Sequence, residues 1–265
     1  KVHSVSINLS TVLFEFANFL ADEAAKISRK YFRQPLLIDS KENKTPVTIA
    51  DREIELRLRE LIKQHYPEHG IIGEEFANSA ESAEYCWVLD PIDGTVAFST
   101  GKPTFTTLVA LLHNGVPLLS VIDQAISQER FSALAGNVAQ LNGQNLATSA
   151  VKQLSDVRLN ATTPYMFTSD YERECFERVR QQVRLTAFGG DAYAFGLLAA
   201  GHIDIIMEAD LQYYDVAALI PIITASGGVI SDWQGNPLTR EFNGQCLACA
   251  NLELQQQVLK VINNI

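Results

Sequence analysis

The most informative stretch of the sequence is WVLDPIDGT, residues 87–95. The apolar segment 85–89 predicts a short buried strand that delivers Asp90 to its C-terminal end. Pro91 then forces the chain to turn, so we expect the carboxylates of Asp90 and Asp93 to converge. Two carboxylates at one point repel each other unless a cation lies between them. The stretch therefore predicts a cation site at the end of a strand.

The residue types around this strand end favour a hard cation together with an anion. Carboxylate ligands without His or Cys suit Mg²⁺ better than Zn²⁺. If a helix begins here, the amides of Gly94 and Thr95 face an anion. The alternative is an Asp-Pro turn with an Asx cap, which accounts for any one of these residues. It does not account for two acids, a Gly and a Thr directly after a hydrophobic strand, so we predict a metal–phosphate site.

Three further acidic residues lie near the boundaries of predicted elements. Glu74 follows a strand-like segment, Asp51 lies near the start of a helix, and Asp215 begins another helix. Each also has an ordinary structural explanation. Glu74 fits a solvated loop, Asp51 a carboxylate in a first helical turn, and Asp215 an N-cap. Individually these residues indicate no site, and only their combination is informative.

That combination resembles the inositol monophosphatase superfamily of Mg²⁺-dependent phosphatases. The superfamily pattern is VTxxD, GEE, DPIDGT and WDxAA, followed by AGG. The matching segments of this chain are residues 47–51, 73–75, 90–95, 214–218 and 226–228. Tyr214 replaces the usual Trp and Ser226 the usual Ala, and neither change removes a ligand. The motifs and the order of the elements extend the resemblance over nearly the whole chain.

The resemblance implies the fold, the cofactor and the partners. We expect an α/β (α+β) protein with a layered αβαβα sandwich of the inositol monophosphatase type. Residues 1–265 would form a single domain with two interlocked halves, roughly 1–150 and 151–265. The resemblance also implies two or three Mg²⁺ ions per active site, a small phosphate monoester as substrate, and a homodimer.

The resemblance further implies how the acidic motifs divide the metal ions between them. Glu74, Asp90 and the backbone carbonyl of Ile92 would hold the metal that activates the attacking water. Asp90, Asp93 and Asp215 would hold the metal that faces the leaving oxygen. The chemistry implied is metal-assisted in-line hydrolysis, in which no phosphoenzyme forms.

The same resemblance assigns catalytic and phosphate-binding roles. Thr95, oriented by Asp51, would polarise the attacking water, and Glu74 would act in catalysis through the metal it holds. The phosphate would lie across the metals and against the amides of Gly94 and Thr95.

The segment between the metal motifs is expected to recognise the substrate. In inositol-type members the position of Asp191 is typically small and neutral, whereas a Glu at the position of Glu208 binds ring hydroxyls. An added carboxylate beside an acidic pocket favours a substrate with positive charge away from its phosphate. Histidinol phosphate carries such charge on an amine and an imidazole, and inositol phosphate carries none. For Asp191, an N-cap at the start of a helix is the alternative, and both roles could hold together.

Four segments resemble the histidinol-phosphatase branch of the superfamily. They are STGKPTF at residues 99–105, GGDxYA at 189–194, LAAGHID at 198–204 and YDxxALIPII at 214–223. This resemblance implies hydrolysis of L-histidinol phosphate in histidine biosynthesis, with Gly190, Asp191 and Glu208 at the substrate. One alternative is an inositol-1-monophosphatase or a broad-specificity monophosphatase. A third possibility, from a different class, is a catalytically silent phosphate-binding protein.

The composition limits which partners fit. The 265 residues include 31 Asp and Glu against 21 Lys and Arg, a net charge of −10, and 47% of them are hydrophobic. Such a chain has enough apolar residues for a substantial core. Its acidity argues against nucleic acid or an anionic membrane as a partner. An anionic substrate remains compatible, since bound divalent cations reverse the local charge.

Location and redox state follow from what the sequence lacks. No apolar run approaches the roughly 18 residues of a membrane span, and the first residues do not resemble a signal peptide. Four scattered cysteines do not form a disulfide framework. The CxxC at 246–249 has no second pair to complete a zinc site, so we expect a buried strand there. We therefore expect a cytoplasmic protein.

Periodicity and turn signals predict the remaining elements. Helices are expected at residues 9–32, 171–182, 191–200, 215–225 and 252–262, with a kink at Pro221. Residues 39–45 are expected to form a loop. Residues 105–112 and 116–123 are expected to form a hairpin around Asn114-Gly115, followed by short strands near 129–134 and 138–141.

Overall fold

The structure is a computed structural model that describes residues 9–34, 38–40 and 46–263. In this part of the chain, the first half begins with long helices and continues as a run of strands. Its helices are α1 (Leu9–Tyr31), α2 (Ile49–His65) and α3 (Thr95–Ser99). Its strands are β1 (Ile38–Ser40), β2 (Pro46–Thr48), β3 (Gly70–Gly73), β4 (Tyr85–Asp93), β5 (Thr106–His113), β6 (Val116–Gln124), β7 (Glu129–Leu134), β8 (Gln140–Leu141) and β9 (Gln144–Asn145).

The second half alternates short strands with helices. Its strands are β10 (Arg158–Ala161), β11 (Leu185–Phe188), β12 (Ile205–Glu208), β13 (Val229–Ser231) and β14 (Cys246–Cys249). Its helices are α4 (Asp170–Arg180), α5 (Asp191–Ala199), α6 (Tyr213–Val216), α7 (Leu219–Ala225) and α8 (Leu252–Asn263).

Two sheets organise the described residues. The larger has seven strands in the order β3-β4-β5-β6-β7-β8-β9, and the smaller has five in the order β11-β10-β12-β14-β13. In the larger sheet β3 and β4 pair in parallel, and the other neighbours are antiparallel. Because each half supplies one sheet, a site at the ends of both must draw residues from distant parts of the chain.

Three hydrophobic cores hold five layers together, because the central core packs on both faces of its helix layer. Helices α1 and α2 cover one face of the larger sheet, where Phe16 and Trp87 are buried together. Helices α5 and α7 lie between the two sheets, in a core that includes Val88, Phe195 and Ile206. Helices α4 and α8 cover the outer face of the smaller sheet. Successive residues of β4 face opposite cores, as strand geometry requires. The predicted αβαβα sandwich is therefore confirmed.

Several local predictions hold, and others need correction. The hairpin of β5 and β6 turns at Asn114 and Gly115, both with positive φ, as the Asn-Gly signal predicts. The strand predicted at 138–141 is shorter and covers only Gln140–Leu141. Of the predicted loop 39–45, residues 39–40 belong to β1, which pairs with β2, and 41–45 lie outside the described residues.

The helix predicted at 215–225 is interrupted rather than kinked. Its first part, α6, ends at Val216, and α7 begins at Leu219. Pro221 has no N–H to donate to the carbonyl of Ala217, so the hydrogen-bonded ladder breaks one turn before the proline. Because of the break, the position of Asp215 on α6 does not depend on the direction of the α7 axis.

The cysteines are buried and unpaired. Cys86 and Cys246 lie in the core between the sheets, and Cys175 and Cys249 lie in the outer core under α4 and α8. The predicted buried strand over the CxxC is therefore confirmed, since β14 spans Cys246–Cys249. Among the helices of the described residues, none is both long and apolar enough to cross a membrane.

Candidate active site

The end of β4 brings two carboxylates together. The strand does not stop at Leu89, as the sequence indicated. Its pairing with β5 becomes irregular after Asp90 and resumes at Asp93. Pro91 therefore lies in a bulge, where a missing backbone N–H is tolerated. The predicted turn is wrong, but the bulge produces the predicted convergence of Asp90 and Asp93.

Asp215 of α6 completes the cluster. One carboxylate oxygen from each of Asp90, Asp93 and Asp215 lies within 4.8 Å of the other two. Oδ2 of Asp215 also accepts a 2.6 Å hydrogen bond from the backbone N–H of Gln212. Gln212 is the N-cap of α6 and the two residues form a capping box. The N-cap alternative for Asp215 is therefore wrong, although the residue does support the helix start.

The three carboxyl groups repel one another. Burial raises the pKa of Asp90, and the charges of Glu74 and Asp93 raise it further. Burial likewise raises the pKa of Asp93, with the charge of Asp191 as the next cause. Burial is also the main cause that raises the pKa of Asp215, to about 7. A cation bound among them would offset this repulsion.

The donor set at the cluster fits Mg²⁺. Oδ1 of Asp90 is buried and accepts no hydrogen bond within the described part of the chain. A desolvated carboxylate oxygen without a partner costs free energy, and a cation would remove that cost. The candidate ligands are all oxygen atoms, which Mg²⁺ prefers. Glu74 and Asp51 act on the same cluster, because their charges also raise the pKa of Asp90.

A buried glutamate of α2 holds the loop that carries Glu74. The carboxylate of Glu55 accepts hydrogen bonds from the backbone N–H groups of Glu75 at 2.7 Å and Phe76 at 3.2 Å. It also accepts a 2.7 Å hydrogen bond from Nε of Arg59. A Cβ at Gly73 would come within 2.2 Å of Glu55 Oε1. The glycine of the GEE motif is thus required for the close approach of this carboxylate.

Helix α3 begins at Thr95, directly after the two acids of β4. Gly94 is its N-cap and has φ 84°, a conformation that favours glycine. The Thr95 hydroxyl donates a 3.2 Å hydrogen bond to the carbonyl of Ile92. Asp51 is buried in the first turn of α2. The predicted phosphate-binding amides therefore lie at a helix start, as the sequence required.

Asp191 joins this site from the second half of the chain. Asp191 is the first residue of α5 and has φ 45°, and Gly190 before it is the N-cap with φ 113°. The N-cap alternative for Asp191 is therefore wrong. A Cβ at Gly94 would come within 2.9 Å of the Asp191 carboxyl. Burial raises the pKa of Asp191 to about 6, and the charge of Lys102 opposes this shift.

Glu208 lies at the end of β12 and is 3% exposed. Its Oε1 accepts hydrogen bonds from the backbone N–H of Thr162 at 3.0 Å and from the Thr162 hydroxyl at 2.6 Å. Burial raises the pKa of Glu208 to about 7, and the charge of Asp191 contributes in the same direction. The two predicted substrate-binding carboxylates therefore act on each other, and the charge of each also raises the pKa of Asp93.

Sequence reasoning missed three residues of this region. Glu55 could have been found from the sequence, since it lies one helical turn after Asp51 and therefore on the same face of α2 as that candidate residue. Thr162 had no such signal. Lys102 lies in the segment 99–105 that resembles the histidinol-phosphatase branch, but its effect on Asp191, like that of Thr162 on Glu208, depends on a contact between distant segments.

A layered αβαβα sandwich with an all-oxygen acidic cluster beside a helix start fits a metal-dependent phosphomonoesterase. The chain belongs to the inositol monophosphatase family, whose sequence profile matches residues 9–265. The structural neighbours are inositol monophosphatase folds. Among them, an inositol monophosphatase from Zymomonas mobilis superposes with a TM-score of 0.88 at 39% identity, covering 97% of this chain and 99% of that one.

Two similar proteins carry different names within the family. The chain is 43% identical over 233 residues to the chloroplastic bifunctional phosphatase IMPL2 of Arabidopsis thaliana, covering 87% of this chain and 67% of that protein. It is 32% identical over 250 residues to a histidinol-phosphatase of Mycobacterium tuberculosis, covering 92% and 95%. The similarities thus show the family of this chain and its metal-dependent phosphatase chemistry, and they do not identify its substrate.

Proposed function

We propose that this protein hydrolyses L-histidinol phosphate to L-histidinol and phosphate, a step of histidine biosynthesis. The observation that carries the proposal is the presence of two carboxylates beside the acidic cluster, the half-buried Asp191 and the buried Glu208, where the charge of Asp191 raises the pKa of Glu208. The ammonium and imidazole of histidinol phosphate supply the positive charge that such a pair favours. Gly190, which precedes Asp191, allows the substrate to approach the backbone. The names of the similar histidinol-phosphatases support the same assignment.

The acidic cluster is the proposed metal site. Asp90, Asp93 and Asp215, together with Glu74 and the carbonyl of Ile92, would hold two or three Mg²⁺ ions. When bound, the ions supply a water of lowered pKa and positive charge that stabilises the leaving alkoxide. The fit of the donor set supports this assignment.

Protein groups beside the cluster are proposed to orient the water and the phosphate. The Thr95 hydroxyl donates its proton to the Ile92 carbonyl, so its lone pairs are free to accept a hydrogen bond from the attacking water. Asp51 is proposed to keep the surrounding potential negative, and to orient Thr95 by accepting its hydroxyl proton when a metal ion would occupy the Ile92 carbonyl. The amides of Gly94 and Thr95 are proposed to donate to the phosphate, since they lie at the start of α3.

The second candidate is an inositol-1-monophosphatase or a broad-specificity monophosphatase. The similarity to the Zymomonas mobilis protein and the word bifunctional in the name of the Arabidopsis relative favour it. The position of Lys102 also favours it, because its charge partly offsets that of Asp191. A catalytically silent phosphate-binding protein fits less well, since every acidic residue of the family motifs is present.

The test is phosphate release from the purified protein with Mg²⁺. The substrates are L-histidinol phosphate, inositol-1-phosphate and β-glycerophosphate, and the matched variant is Asp191→Asn. Asn tolerates positive φ nearly as well as Asp, so this variant removes the charge without changing the backbone preference. We expect a preference for histidinol phosphate that falls by about tenfold in the variant, the effect of one charge-assisted hydrogen bond.

Each other outcome contradicts a stated part of the proposal. Equal rates on all three esters, or a preference that Asp191→Asn leaves unchanged, would reject the substrate assignment and keep the phosphatase. No release from any ester with Mg²⁺ present would favour the silent phosphate-binding protein.

We further propose a cytoplasmic homodimer that binds neither nucleic acid nor membranes. The net charge of −10 supports the last two points. The contacts of α5 and α7 with strands of both sheets support a single domain over 1–265. The Arabidopsis relative is chloroplastic by name, so fractionation of the native cell tests the location, and light scattering tests the dimer.

A further inference from the structure

A polar cavity lies on the face of the larger sheet that packs against α1. Its volume is about 500 Å³, and it is lined mainly by α1, by the end of β6 and by β7. Asn18, Asp22 and Arg29 line it from the helix, and Asp123 and Arg130 line it from the strands. The cavity shares no lining residue with the candidate active site. A cavity of this size accommodates a small metabolite.

Arg130 is fully engaged by its neighbours. Its Nε donates to Asp123 Oδ1 at 2.7 Å, its Nη2 donates to Asp22 Oδ1 at 2.7 Å, and its Nη1 donates to the carbonyl of Asn18 at 3.2 Å. Nη1 and Nη2 therefore tie α1 to the sheet, and Nε joins β7 to β6 within it. Arg130 acts as a structural residue, and a ligand in the cavity has to be bound by other groups.

Asp123 leaves one acceptor open to the cavity. The residue is 4% exposed, and in the described part of the chain its Oδ2 accepts no hydrogen bond, since Arg130 donates only to Oδ1. Burial raises its pKa although the charge of Arg130 opposes this shift. A ligand in the cavity that donates a hydrogen bond to this oxygen would stabilise the charged form of the Asp123 carboxylate.

Arg29 offers the opposite chemistry in the same cavity. Its Nη1 donates to the carbonyl of Ala125 at 2.9 Å, and its other two nitrogens have no acceptor among the described residues. Its charge acts on Asp123 and lowers the pKa of that carboxyl. The cavity therefore presents an acceptor with negative charge and a forked donor with positive charge.

We propose that this cavity binds a small zwitterion, in particular a free α-amino acid. The ammonium of the ligand would donate to Oδ2 of Asp123, and its carboxylate would accept from the guanidinium of Arg29. A simple anion would face the carboxylates of Asp22 and Asp123, and a simple cation would face the guanidinium groups of Arg29 and Arg130. Only a ligand with both charges satisfies both groups. The proposal is independent of the substrate assignment, because it concerns a different set of residues.

The experiment screens the standard L-amino acids against the full-length protein by thermal shift, followed by calorimetry on those that raise Tm. Arg29→Gln is the test variant, and Lys26→Gln is the matched control, an exposed lysine one turn earlier on α1 and outside the cavity. Glu208→Gln separates this site from the substrate pocket. We expect Arg29→Gln to weaken binding about tenfold or more, while Lys26→Gln and Glu208→Gln leave it unchanged.

Derivatives of the tightest ligand test the charge requirement. Its methyl ester lacks the carboxylate and its N-acetyl form lacks the ammonium, so we expect both to lose about tenfold or more in affinity. Arg29 is exposed on α1, so we expect Arg29→Gln to keep the fold and the basal phosphatase activity. A loss of binding in this variant would therefore not result from unfolding.

Three results would overturn the proposal. The first is no binding of any amino acid up to about 10 mM, which corresponds to a binding free energy weaker than about −3 kcal/mol. The second is binding that Arg29→Gln leaves unchanged. The third is a methyl ester or an N-acetyl form that binds as tightly as the free amino acid. A fourth result would also overturn it, because loss of binding in Glu208→Gln instead of Arg29→Gln would place the ligand in the substrate pocket.

Discussion

The backbone amide of Ala192 donates a 2.6 Å hydrogen bond to Oδ2 of Asp93, a residue 99 positions earlier in the chain. This bond fixes one oxygen of a proposed metal ligand and lowers its pKa against the effect of burial. Hydrogen bonds to charged acceptors contribute about 1.5–3 kcal/mol. The geometry of the acidic cluster therefore depends on the docking of α5 from the second half onto β4 of the first.

The contact of Gly94 with Asp191 predicts a steric effect on activity. Gly94→Ala places a Cβ 2.9 Å from the Asp191 carboxyl, so Asp191 must move. Gly136→Ala is a matched control, since Gly136 also has φ 84° and its Cβ would meet nothing within 4 Å. We expect both variants to lose about 1–2 kcal/mol of stability, because alanine is strained at positive φ, and only Gly94→Ala to lose about tenfold or more in kcat/KM. Equal activities of the two variants would contradict a role for this contact.

The repulsion around Asp90 predicts that stability and activity change in opposite directions. In EDTA, Asp90→Asn removes a buried charge with a raised pKa, so we expect Tm to rise while Mg²⁺-dependent hydrolysis falls by about 100-fold. Asp204→Asn is the control, because Asp204 is equally buried but paired with Arg158, which lowers its pKa. Arg158 is 36% exposed, so Asp204→Asn leaves a solvated guanidinium, and we expect it to lower stability by about 1.5–3 kcal/mol through the weakened charge-assisted hydrogen bonds. Calorimetric scans with and without Mg²⁺ measure both effects, and a lowered Tm for Asp90→Asn in EDTA would contradict the repulsion.

The hydroxyl of Thr162 predicts a specific effect on substrate affinity. Thr162→Val keeps the shape of the side chain but removes the 2.6 Å donor to Glu208. If Glu208 binds the cationic end of the substrate, we expect KM for histidinol phosphate to rise about tenfold with little change in kcat. Thr162→Ser should restore the wild-type KM, and neither variant should alter KM for β-glycerophosphate. A uniform loss on both esters would show that Thr162 supports only the fold.

The raised pKa of Glu208 predicts a pH dependence of stability in the metal-free protein. Its folded value of about 7 lies above the ordinary value of 4.5, so the folded state holds a proton that the unfolded state releases. The resulting stabilisation is complete below pH 4.5 and is lost as pH rises through 7, by up to about 3 kcal/mol. Urea unfolding in EDTA at pH 5 and pH 8 measures it. Glu208→Gln should show a smaller loss than the wild type, and an equal loss would contradict the assignment.

The sequence predicted the parts of the site that depend on short-range spacing. Asp90, Asp93 and the start of α3 at Thr95 lie within six residues of one another, so a strand end and a turn-forming proline suffice to bring them together. The error concerned how the chain bends. The Thr107 hydroxyl donates to the Pro91 carbonyl at 2.7 Å, and pairing with β5 resumes at Asp93, so the strand continues through a bulge.

Contacts between distant segments were beyond sequence reasoning. Thr162 meets Glu208 across 46 residues, and Glu55 holds the backbone of Glu75 from another element. Neither the hydrophobic periodicity nor the motif spacing of the sequence predicts such contacts, because they form only when separate layers of the fold pack together. The place of Asp215 in the cluster was predicted by family resemblance alone. The pattern of its own segment favoured an N-cap, a position that Gln212 occupies.

The burial of the four cysteines gives the protein an internal set of reporters. Burial raises the pKa of every one of these thiols, and a thiol reacts with alkylating reagents only as the exposed thiolate. Labelling therefore proceeds only when a core opens. Cys86 and Cys246 record opening of the layer between the sheets, and Cys175 and Cys249 record opening beneath α4 and α8. Mass spectrometry of the alkylated peptides would thus time the opening of two cores separately in the unmodified protein.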